Sequence, residues 1–370
     1  MITLSRLYTY PVKSMRGLQL SHSLTGESGL MFDRNFMVTT TDGTFMTARQ
    51  YPQLVLFTPF MLNNGIYLRA PNGESATVLY SDFKEERHPT EVWGDHFTTL
   101  VAPDKVNTWL SGFFDTPVQF RWLSEELTRR VKTFPDISLS FADGLPYLII
   151  NEASFHALQQ RCPASIKIEQ FRANIVVTGA APFEEDSWQT IQIGDIIFDL
   201  PRPCKRCILT TVSPEKGRKN PKSEPLATLQ SFRTAKENGA VDFGQNAIAR
   251  NSGIIRVGDN VTILEKKIPR EYGSGEQAKD LNIQKAAEQA ISIEFNGQRF
   301  TGNNQQIILE QLEKQGIKIP YSCRAGICGS CKISLIEGNV SPLKSTAIKD
   351  NGKILACSCI PQNDLVIELN

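Results

Sequence analysis

The sequence predicts a mainly β protein with peripheral helices, followed by a small α+β domain at its C-terminal end. Three observations lead to this prediction. The chain has 370 residues, which is too many for one ordinary hydrophobic core, so two or three domains are expected. Short apolar-alternating runs separated by turn dipeptides such as Asn64-Gly65 and Asn72-Gly73 dominate the first hundred residues. The later runs are rich in β-branched residues, with only a few helix signals between them.

Residues 1–100 are predicted to form a β-barrel-like domain. Its clearest strand candidates are four runs rich in β-branched and aromatic residues, at 36–40, 54–62, 66–69 and 76–80. This segment contains no clear helix signal. We therefore expect a meander or a small barrel.

Residues 101–265 are predicted to form a second barrel-like domain with helices at its periphery. Asn151 is placed to cap one of these helices, and Pro225 suits the first turn of another. The expected helices are 104–114, 152–161 and 225–235, and the expected strands are 118–122, 147–150, 175–178, 191–200, 207–212 and 253–264. The domain should therefore be β-rich, like the first.

Residues 266–288 are the best linker candidate, because they are polar, contain Pro and Gly, and have no continuous apolar face. The final domain, 289–370, opens with a hairpin signature around the turn Asn296-Gly297. A helix is expected at 305–314, with Asn303 or Asn304 as its cap.

The charge balance excludes some classes of partner. Lys and Arg number 40 and Asp and Glu number 39, so the net charge is +1 and gives no reason to expect a nucleic-acid polymer or a membrane as partner. The N-terminus has no apolar signal region, and no apolar run approaches the length of a membrane span. We expect a cytoplasmic protein, in which eight cysteines are metal ligands or redox groups more often than disulfides.

Three cysteines in the final domain have a diagnostic spacing. Cys323, Cys328 and Cys331 form a C-x4-C-x2-C pattern, which is the plant-type spacing for a 2Fe–2S cluster. Small residues between them, such as Gly326 and Gly329, let backbone amides approach the cluster sulfides. The sequence therefore predicts a ferredoxin-type (β-grasp) domain. A zinc site would need a second C-x2-C pair in this domain, and a Rieske centre would need His, which residues 289–370 lack.

The fourth cluster ligand has two candidates, Cys357 and Cys359. On a strand both would point to the same face, so alternation does not choose between them. The run Leu355-Ala356-Cys357, with Pro361 four residues later, is similar to the fourth-ligand segment of reductase-type ferredoxin domains. That resemblance favours Cys357.

A second informative cysteine pair is Cys204 and Cys207. It could be half a zinc site, a thioredoxin-like pair or two structural cysteines, although no second pair completes a zinc site and a β-branched run follows where thioredoxin has a helix. The neighbouring cations Arg202, Lys205 and Arg206 favour a thiolate. A soft thiolate in a cationic pocket suits a metal that carries an anionic cofactor.

Seven short motifs in the first 212 residues carry a family resemblance. They are Tyr10-Pro11-Val12-Lys13-Ser14, Asp33-Arg34, Thr47-Ala48-Arg49, Asn151-Glu152-Ala153-Ser154, Phe171-Arg172-Ala173-Asn174-Ile175, Glu185-Asp186-Ser187-Trp188 and the run from Cys204 to Val212. Together they resemble the MOSC superfamily, with its N-terminal β-barrel domain at 1–100 and the MOSC domain at 101–265. With the ferredoxin domain, the chain looks like the bacterial YcbX-type proteins, relatives of the mitochondrial amidoxime-reducing component.

The resemblance implies a molybdenum-cofactor-dependent reductase of N-hydroxylated bases and amidoximes. Electrons would come from an external NAD(P)H-dependent flavoprotein through the chain's own 2Fe–2S cluster. Cys207 matches the molybdenum-ligating, catalytic cysteine of the family. The other matched positions hold the pterin and its phosphate (Lys13, Ser14, Arg34 and Arg172) or line the same pocket (Asp143, Gly144, Leu145, Asn174 and Lys205).

The chain departs from the family pattern in two places. Ala173 stands where relatives often have Pro, and the fused ferredoxin domain is missing from the mitochondrial relatives. Two other functions stay open. The chain could carry sulfur or molybdenum cofactor, with Cys207 as the carrier residue, or it could be an electron-transfer module without substrate chemistry of its own.

Overall fold

The structure is a computed structural model that describes residues 1–124, 127–274, 287–321, 326, 329, 331–349 and 351–369. The chain divides into two compact bodies. The first body consists of Met1–Thr228 and Asp242–Glu271. The second consists of Leu229–Val241 and Tyr272–Asn370, so it takes in a short internal segment as well as the C-terminal part.

Short strands dominate the N-terminal part of the first body. They are β1 (Thr3–Thr9), β2 (Leu18–Leu20), β3 (His22–Gly26), β4 (Gly29–Leu30), β5 (Phe36–Thr40), β6 (Thr58–Leu62), β7 (Gly65–Arg69), β8 (Ser75–Leu79), β9 (His88–Val92), β10 (Asp95–Val101) and β11 (Val118–Trp122). One α-helix, α1 (Asp104–Ser111), and two 3-10 helices, Pro52–Leu56 and Tyr80–Asp82, lie among them.

The middle of the chain continues this pattern. Its strands are β12 (Arg130–Val131), β13 (Phe134–Ser138), β14 (Tyr147–Asn151), β15 (Ile175–Thr178), β16 (Trp188–Ile193), β17 (Ile196–Lys205), β18 (Thr234–Ala235), β19 (Asp242–Ala249), β20 (Gly253–Arg256) and β21 (Val261–Lys266). Its helices are α2 (Glu152–Arg161) and α3 (Leu226–Gln230), with 3-10 helices at Ile168–Phe171, Glu184–Ser187 and Ile208–Thr211.

The C-terminal part contains β22 (Tyr272–Gly273), β23 (Ala290–Phe295), β24 (Gln298–Asn303), α4 (Ile308–Lys314), β25 (Lys332–Glu337), β26 (Val340–Pro342), β27 (Lys353–Leu355), a 3-10 helix (Ala356–Ser358), β28 (Cys359–Pro361) and β29 (Leu365–Glu368). In the second body, β22 pairs with β18, so part of the segment expected to be a linker is a strand.

The first body is built on one large sheet with smaller sheets beside it. The large sheet has the order β2-β1-β15-β14-β19-β17-β16-β21, with β14 and β15 parallel and the other pairs antiparallel. The smaller sheets have the orders β5-β11-β10-β9, β6-β7-β8 and β20-β3-β4. The mainly β prediction is confirmed.

Hydrophobic cores support these sheets, and two of them are large. One lies in the N-terminal part and contains Phe36, Phe57 and Phe120, which are fully buried. The other contains Trp188 and Phe198 and lies on the large sheet. Burial of such aromatic side chains contributes roughly 2–3 kcal/mol each, so these clusters hold the strands that position the site described below.

The second body is α+β, as predicted. Its main sheet has the order β24-β23-β29-β25-β27, with β23 and β29 parallel. Ile308, Leu309 and Leu312 of α4 are fully buried in a core with Ile293 and Ile367 of the sheet. The helix is shorter than expected at its start, because the side chain of Asn303 accepts hydrogen bonds from the amides of Gln305 and Gln306 and forms a turn there first.

The helices predicted for the first body agree with the observed helices to different degrees. Helix α2 has the bounds predicted for it, and the Asn151 side chain caps it by accepting a hydrogen bond from Ala153 N at 3.1 Å. Helix α3 is shorter than the predicted 225–235 helix, because the chain enters β18 at Thr234.

Two strand predictions are wrong. Within the run 207–212, residues Ile208–Thr211 form a 3-10 turn, because the Thr210 and Thr211 hydroxyls donate to the carbonyls of Cys207 and Ile208. The run 54–62 begins with the 3-10 helix Pro52–Leu56, whose first turn contains Pro, and only its second half is a strand.

Candidate functional site

A cavity of about 160 Å³ in the first body brings together side chains that are far apart in the sequence. All ten pocket positions taken from the family resemblance line it: Lys13, Ser14, Arg34, Asp143, Gly144, Leu145, Arg172, Asn174, Lys205 and Cys207. The lining also includes Arg49, Arg206 and Cys204.

Asn174 organises one wall of the cavity. Its side chain is buried, and its amide nitrogen donates to Asp33 Oδ1 at 3.0 Å. Its Oδ1 accepts a hydrogen bond from Arg34 Nη1 at 3.1 Å. Arg34 also pairs with Asp33 and donates to the carbonyl of Arg172 at 3.0 Å. The Arg34 guanidinium is therefore fixed from several sides.

Arg34 and Arg172 lie against one buried aromatic ring. The guanidinium carbons of Arg34 and Arg172 are 4.5 and 4.3 Å from the centre of the Tyr10 ring. Burial, and then the nearby charge of Arg34, lower the pKa of Arg172 to about 10. Two cations held this close favour an anionic ligand between or beside them.

Asp143 is the carboxylate in the cavity lining. It pairs with Lys13, accepts a hydrogen bond from Arg49 Nη2 at 2.8 Å and accepts another from Trp93 Nε1 at 3.1 Å. Burial acts against the ionised form, but Lys13 and Arg49 outweigh it and hold the pKa of Asp143 well below its usual range. Burial lowers the pKa of Lys13 to about 8.

Cys207 lies directly before the 3-10 turn Ile208–Thr211 and is half-buried. Arg49 Nε donates to its sulfur at 3.2 Å. Cys204, three residues earlier, has a long contact of 3.9 Å to the carbonyl of Lys205, and burial raises the pKa of its thiol. The two cysteines therefore have different surroundings.

Sequence reasoning missed three side chains at this site. Arg49 lies in a motif typical of the family, but the resemblance implies no role for it, and the sequence presents Arg206 only as a cation beside Cys207. Trp93 carried no signal except its place before Gly94 in a hairpin turn, where its φ of 54° is left-handed. Their contacts bridge distant segments, which no local pattern reports.

The donors of the cavity suit an anionic cofactor. Its lining contains six cationic residues and one carboxylate: Lys13, Arg34, Arg49, Arg172, Lys205, Arg206 and Asp143. Arg172 Nη2 and Arg206 Nη2 are buried and have no hydrogen-bond partner among the residues that the structure describes. Unpaired buried guanidinium N–H groups are costly, and a phosphate or pterin would supply the acceptors that they lack. The residues present therefore fit a molybdenum cofactor, with Cys207 as a soft ligand.

A zinc site at Cys204 and Cys207 has too few ligands. Over the residues that the structure describes, no group of three or more His, Cys, Asp or Glu side chains is placed to hold a metal ion. Zinc in a structural site needs four such ligands.

The second body holds part of the predicted cluster site. Cys323 and Cys328 lie outside the described residues. Cys331 and Cys357 are buried side by side, with Cys357 N donating to Cys331 Sγ at 3.5 Å and Gly326 N donating to Cys357 Sγ at 3.3 Å. Amide donors to thiolate sulfur are what an iron–sulfur site requires, so these two residues fit the cluster.

Cys359 points elsewhere. Its sulfur lies 3.8 Å from the carbonyl of Ala347 and is fully buried in the hydrophobic core. The 3-10 turn Ala356–Ser358 contains Cys357 and ends before Cys359, so the two side chains point in different directions. The alternation expected for a strand therefore does not apply here.

Comparison with known families divides the chain into three matches. Residues 1–117 match the MOSC N-terminal beta barrel domain, and residues 136–262 match the MOSC domain. Residues 280–362 match the 2Fe-2S iron-sulfur cluster binding domain. The resemblance drawn from the seven motifs is thereby confirmed.

Curated relatives are similar to this chain over about 70% of its length. Mitochondrial amidoxime reducing component 2 of Rattus norvegicus is 33% identical over 280 residues, which is 70% of this chain and 82% of that protein. The chain belongs to the family of the mitochondrial amidoxime-reducing components. Component 2 of Homo sapiens is also 33% identical, over 70% of this chain and 82% of its own, and human component 1 is 31% identical over 71% and 83%. This member of the family carries the 2Fe-2S domain in the same chain.

No helix in the described parts of the chain combines the length and the apolar character needed to cross a membrane.

Proposed function

We propose that this chain is a molybdenum-cofactor-dependent reductase of N-hydroxylated compounds, such as N-hydroxylated bases and amidoximes. Its own 2Fe–2S cluster would receive electrons from an external NAD(P)H-dependent flavoprotein. The observation that carries the proposal is the thiol of Cys207 at the wall of a cavity lined by six cations and one carboxylate. Relatives named for the reduction of amidoximes support the same reaction class.

The residues assigned to the cofactor come from the family resemblance, and their places in the lining of one cavity support the assignment. Cys207 would ligate molybdenum, and Lys13, Ser14, Arg34 and Arg172 would hold the pterin and its phosphate. Asp143, Gly144, Leu145, Asn174 and Lys205 would complete the pocket. When bound, the molybdenum cofactor and the 2Fe–2S cluster would supply two electrons. With two protons, these electrons convert an N–OH group into N–H and water.

The charge state of Asp143 bears on how protons reach the substrate. Asp143 is paired with Lys13 and Arg49, and its lowered pKa keeps it ionised at neutral pH. An ionised carboxylate accepts hydrogen bonds and cannot act as a general acid. We therefore assign to Asp143 the role of orienting Lys13 and Arg49.

Four cysteines would hold the cluster in the second body. They are Cys323, Cys328, Cys331 and Cys357, of which the last two are adjacent in the structure. The sequence contains no flavin or nicotinamide motif, and for this reason the electron source is placed in a separate protein.

Metal analysis and turnover test the proposal together. Protein purified from cells that make molybdenum cofactor should contain about one molybdenum and two irons per chain. It should reduce an N-hydroxylated base when a chemical electron donor is supplied. Iron without molybdenum would refute the reductase and leave the electron-transfer module, and molybdenum without turnover would favour a cofactor carrier.

The Cys207→Ala variant tests the ligand. It should lose turnover and molybdenum and keep the visible spectrum of the 2Fe–2S cluster, because Cys207 and the cluster cysteines lie in different bodies. Cys162→Ala is the matched control, since Cys162 is also half-buried but contacts Glu224 and does not line the cavity. Full activity of Cys207→Ala would show that the ligand is another residue.

A further inference from the structure

Arg49, which has no role assigned so far, contacts the sulfur of the proposed metal ligand directly. It is buried, and its Nε donates to Cys207 Sγ at 3.2 Å. Its Nη2 donates to Asp143 Oδ2 at 2.8 Å. The same guanidinium therefore joins the sulfur to the carboxylate of the cavity, although Arg49 and Cys207 are 158 residues apart.

The orientation of this guanidinium is fixed from a third side. Its central carbon lies 4.5 Å from the centre of the Trp93 ring, and Trp93 Nε1 donates to Asp143 Oδ1. The Trp93 ring in turn packs edge-to-face with Phe45, at 4.9 Å between ring centres. A planar guanidinium held by two hydrogen bonds and an aromatic face has little freedom to rotate.

One nitrogen of Arg49 is left over. Nε and Nη2 are used, and over the part of the chain that the structure describes Nη1 makes no hydrogen bond. Arg49 lines the cavity, and Nη1 is not one of the buried donors. An N–H group on a cation beside Cys207 is a good partner for a small oxygen acceptor.

We propose that Arg49 is the residue that positions both partners of the reaction. Its Nε holds the sulfur of Cys207, and its Nη1 donates to the oxygen of the substrate's N–OH group. The inference deepens the proposed function and rests on it. Substrates whose N–O oxygen is a good acceptor, such as amidoximes and N-hydroxylated heterocyclic bases, meet this requirement.

A purely structural role would have different consequences. If Arg49 served only to pair with Asp143, its loss would lower stability or metal content and leave the kinetic constants per bound molybdenum unchanged. If Arg49 positions both partners, its loss changes those constants. A cation next to a metal-bound thiolate also favours the reduced metal, because reduction adds negative charge.

Two variants separate the charge from the geometry. Arg49→Lys keeps the cation but loses the planar fork, and Arg49→Met removes both. Arg250→Met is the control, because Arg250 pairs with Asp199 and does not line the cavity. We would measure molybdenum content, KM and kcat per molybdenum for one amidoxime, and the reduction potential of the molybdenum.

The expected results differ between the variants. Arg49→Lys should raise KM more than it lowers kcat and should leave the potential near that of the wild type, because the substrate contact is lost and the charge stays. Arg49→Met should lower kcat/KM by roughly 10- to 100-fold, the range for loss of a hydrogen bond to a charged group, and should make the potential more negative. Arg250→Met should match the wild type.

The experiment distinguishes failure of the proposed function from failure of the role proposed for Arg49. A wild-type protein without molybdenum or turnover refutes the proposed function. An active wild type whose Arg49 variants keep its KM, kcat and potential refutes the role of Arg49 alone.

A second measurement covers variants that fail to load the metal. In molybdenum-free protein, Cys207 should react with iodoacetamide faster than Cys204, because Arg49 donates a hydrogen bond to the Cys207 sulfur whereas burial raises the pKa of the Cys204 thiol. Arg49→Met should slow the modification of Cys207 and leave that of Cys204 unchanged, as measured by peptide mass spectrometry. Equal rates at Cys207 in wild type and variant would also overturn the inference.

Discussion

Three non-glycine residues of the cavity have left-handed backbone conformations. The φ angles of Ser14, Arg34 and Arg172 are 70°, 53° and 56°. Such conformations cost about 1–2 kcal/mol each for ordinary residues and persist only where the surroundings hold them. Arg34 is held by Asn174, and Arg172 Nη1 donates to the carbonyl of Met15 at 2.7 Å. This backbone strain places both guanidinium groups on the Tyr10 ring.

Glu185 is a residue whose protonation depends on the fold. It is buried, and its carboxylate accepts a hydrogen bond from Ser154 Oγ at 2.8 Å. Burial, with a further contribution from the charge of Asp186, raises the pKa of Glu185 from 4.5 to about 7. Between pH 4.5 and about pH 7, Glu185 is therefore protonated in the folded protein and ionised in the unfolded chain.

This shift predicts how stability changes with pH. Because the folded pKa is the higher one, the stabilisation by protonated Glu185 is complete below pH 4.5 and is lost as the pH rises through about 7. The loss is on the order of 3 kcal/mol. Glu185→Gln, neutral at every pH, should gain stability relative to the wild type between pH 5 and pH 8, by several degrees in Tm.

Thermal unfolding at a series of pH values measures this effect. Glu74→Gln is the control, because Glu74 is exposed and should show no such trend. A constant difference in Tm between Glu185→Gln and wild type from pH 5 to pH 8 would contradict the assignment.

Gly326 is required at the cluster site for two reasons. Its φ of 68° is left-handed, and an added Cβ would lie 2.6 Å from Ser358 Oγ. Gly297 has a similar φ of 82° but open space around it. Gly326→Ala should therefore lower the iron content and speed loss of the visible spectrum, while Gly297→Ala, with similar backbone strain, should keep about two irons per chain. Equal iron content in the two variants would argue against the steric role of Gly326.

At the scale of elements, the 3-10 turn Ala356–Ser358 supports the proposal of Cys357 as the fourth cluster ligand. It directs Cys357 to Cys331 and leaves Cys359 against the carbonyl of Ala347. Cys357→Ser should therefore lose the cluster. Cys359→Ser should keep about two irons per chain and lose only stability, because it places a hydroxyl in an apolar core.

Iron analysis and the visible spectrum decide between the two cysteines. The reverse pattern, with Cys359→Ser losing the cluster and Cys357→Ser keeping it, would show that the turn rearranges when the cluster binds.

The 3-10 turn Ile208–Thr211 has the same kind of effect in the first body. The carbonyl of Cys207 accepts hydrogen bonds from both the amide and the hydroxyl of Thr210, at 3.1 and 2.9 Å. These contacts end the extended chain of β17 and turn the backbone at Cys207. If β17 continued through residues 207–212, Cys207 would lie within a paired strand. Because the chain turns instead, Cys207 lies at the wall of the cavity.

At the scale of the whole molecule, the distribution of charge says more than its sum. The net charge is +1, yet the cavity lining carries six cations and one carboxylate. These groups come from chain segments near residues 13, 34, 49, 143, 172 and 205. Strands β1, β14, β15, β17 and β19 of the large sheet lie next to one another and bring several of these segments together.

The composition of the second body could not be predicted from local patterns. Leu229–Val241 belongs to it although the chain returns to the first body at Asp242. The segment joins by pairing β18 with β22, and each of these strands has only two residues. Such short strands carry no periodic signal, so a boundary drawn from sequence places them with their chain neighbours.

Much of this protein follows from the sequence by itself, because it depends on residues that are close in the chain. The spacing of Cys323, Cys328 and Cys331, the Asn151 cap and the mainly β pattern are local features. The motifs also identified the family, and the resemblance supplied ten of the residues that line the cavity.

Only the tertiary structure decided the contacts between distant residues. It placed Arg49 on Cys207, Trp93 on Arg49, and Cys357 rather than Cys359 beside Cys331. The physical reason is that a hydrogen bond or a ring contact depends on where two side chains meet in space, and composition and spacing specify only which residues are available to meet.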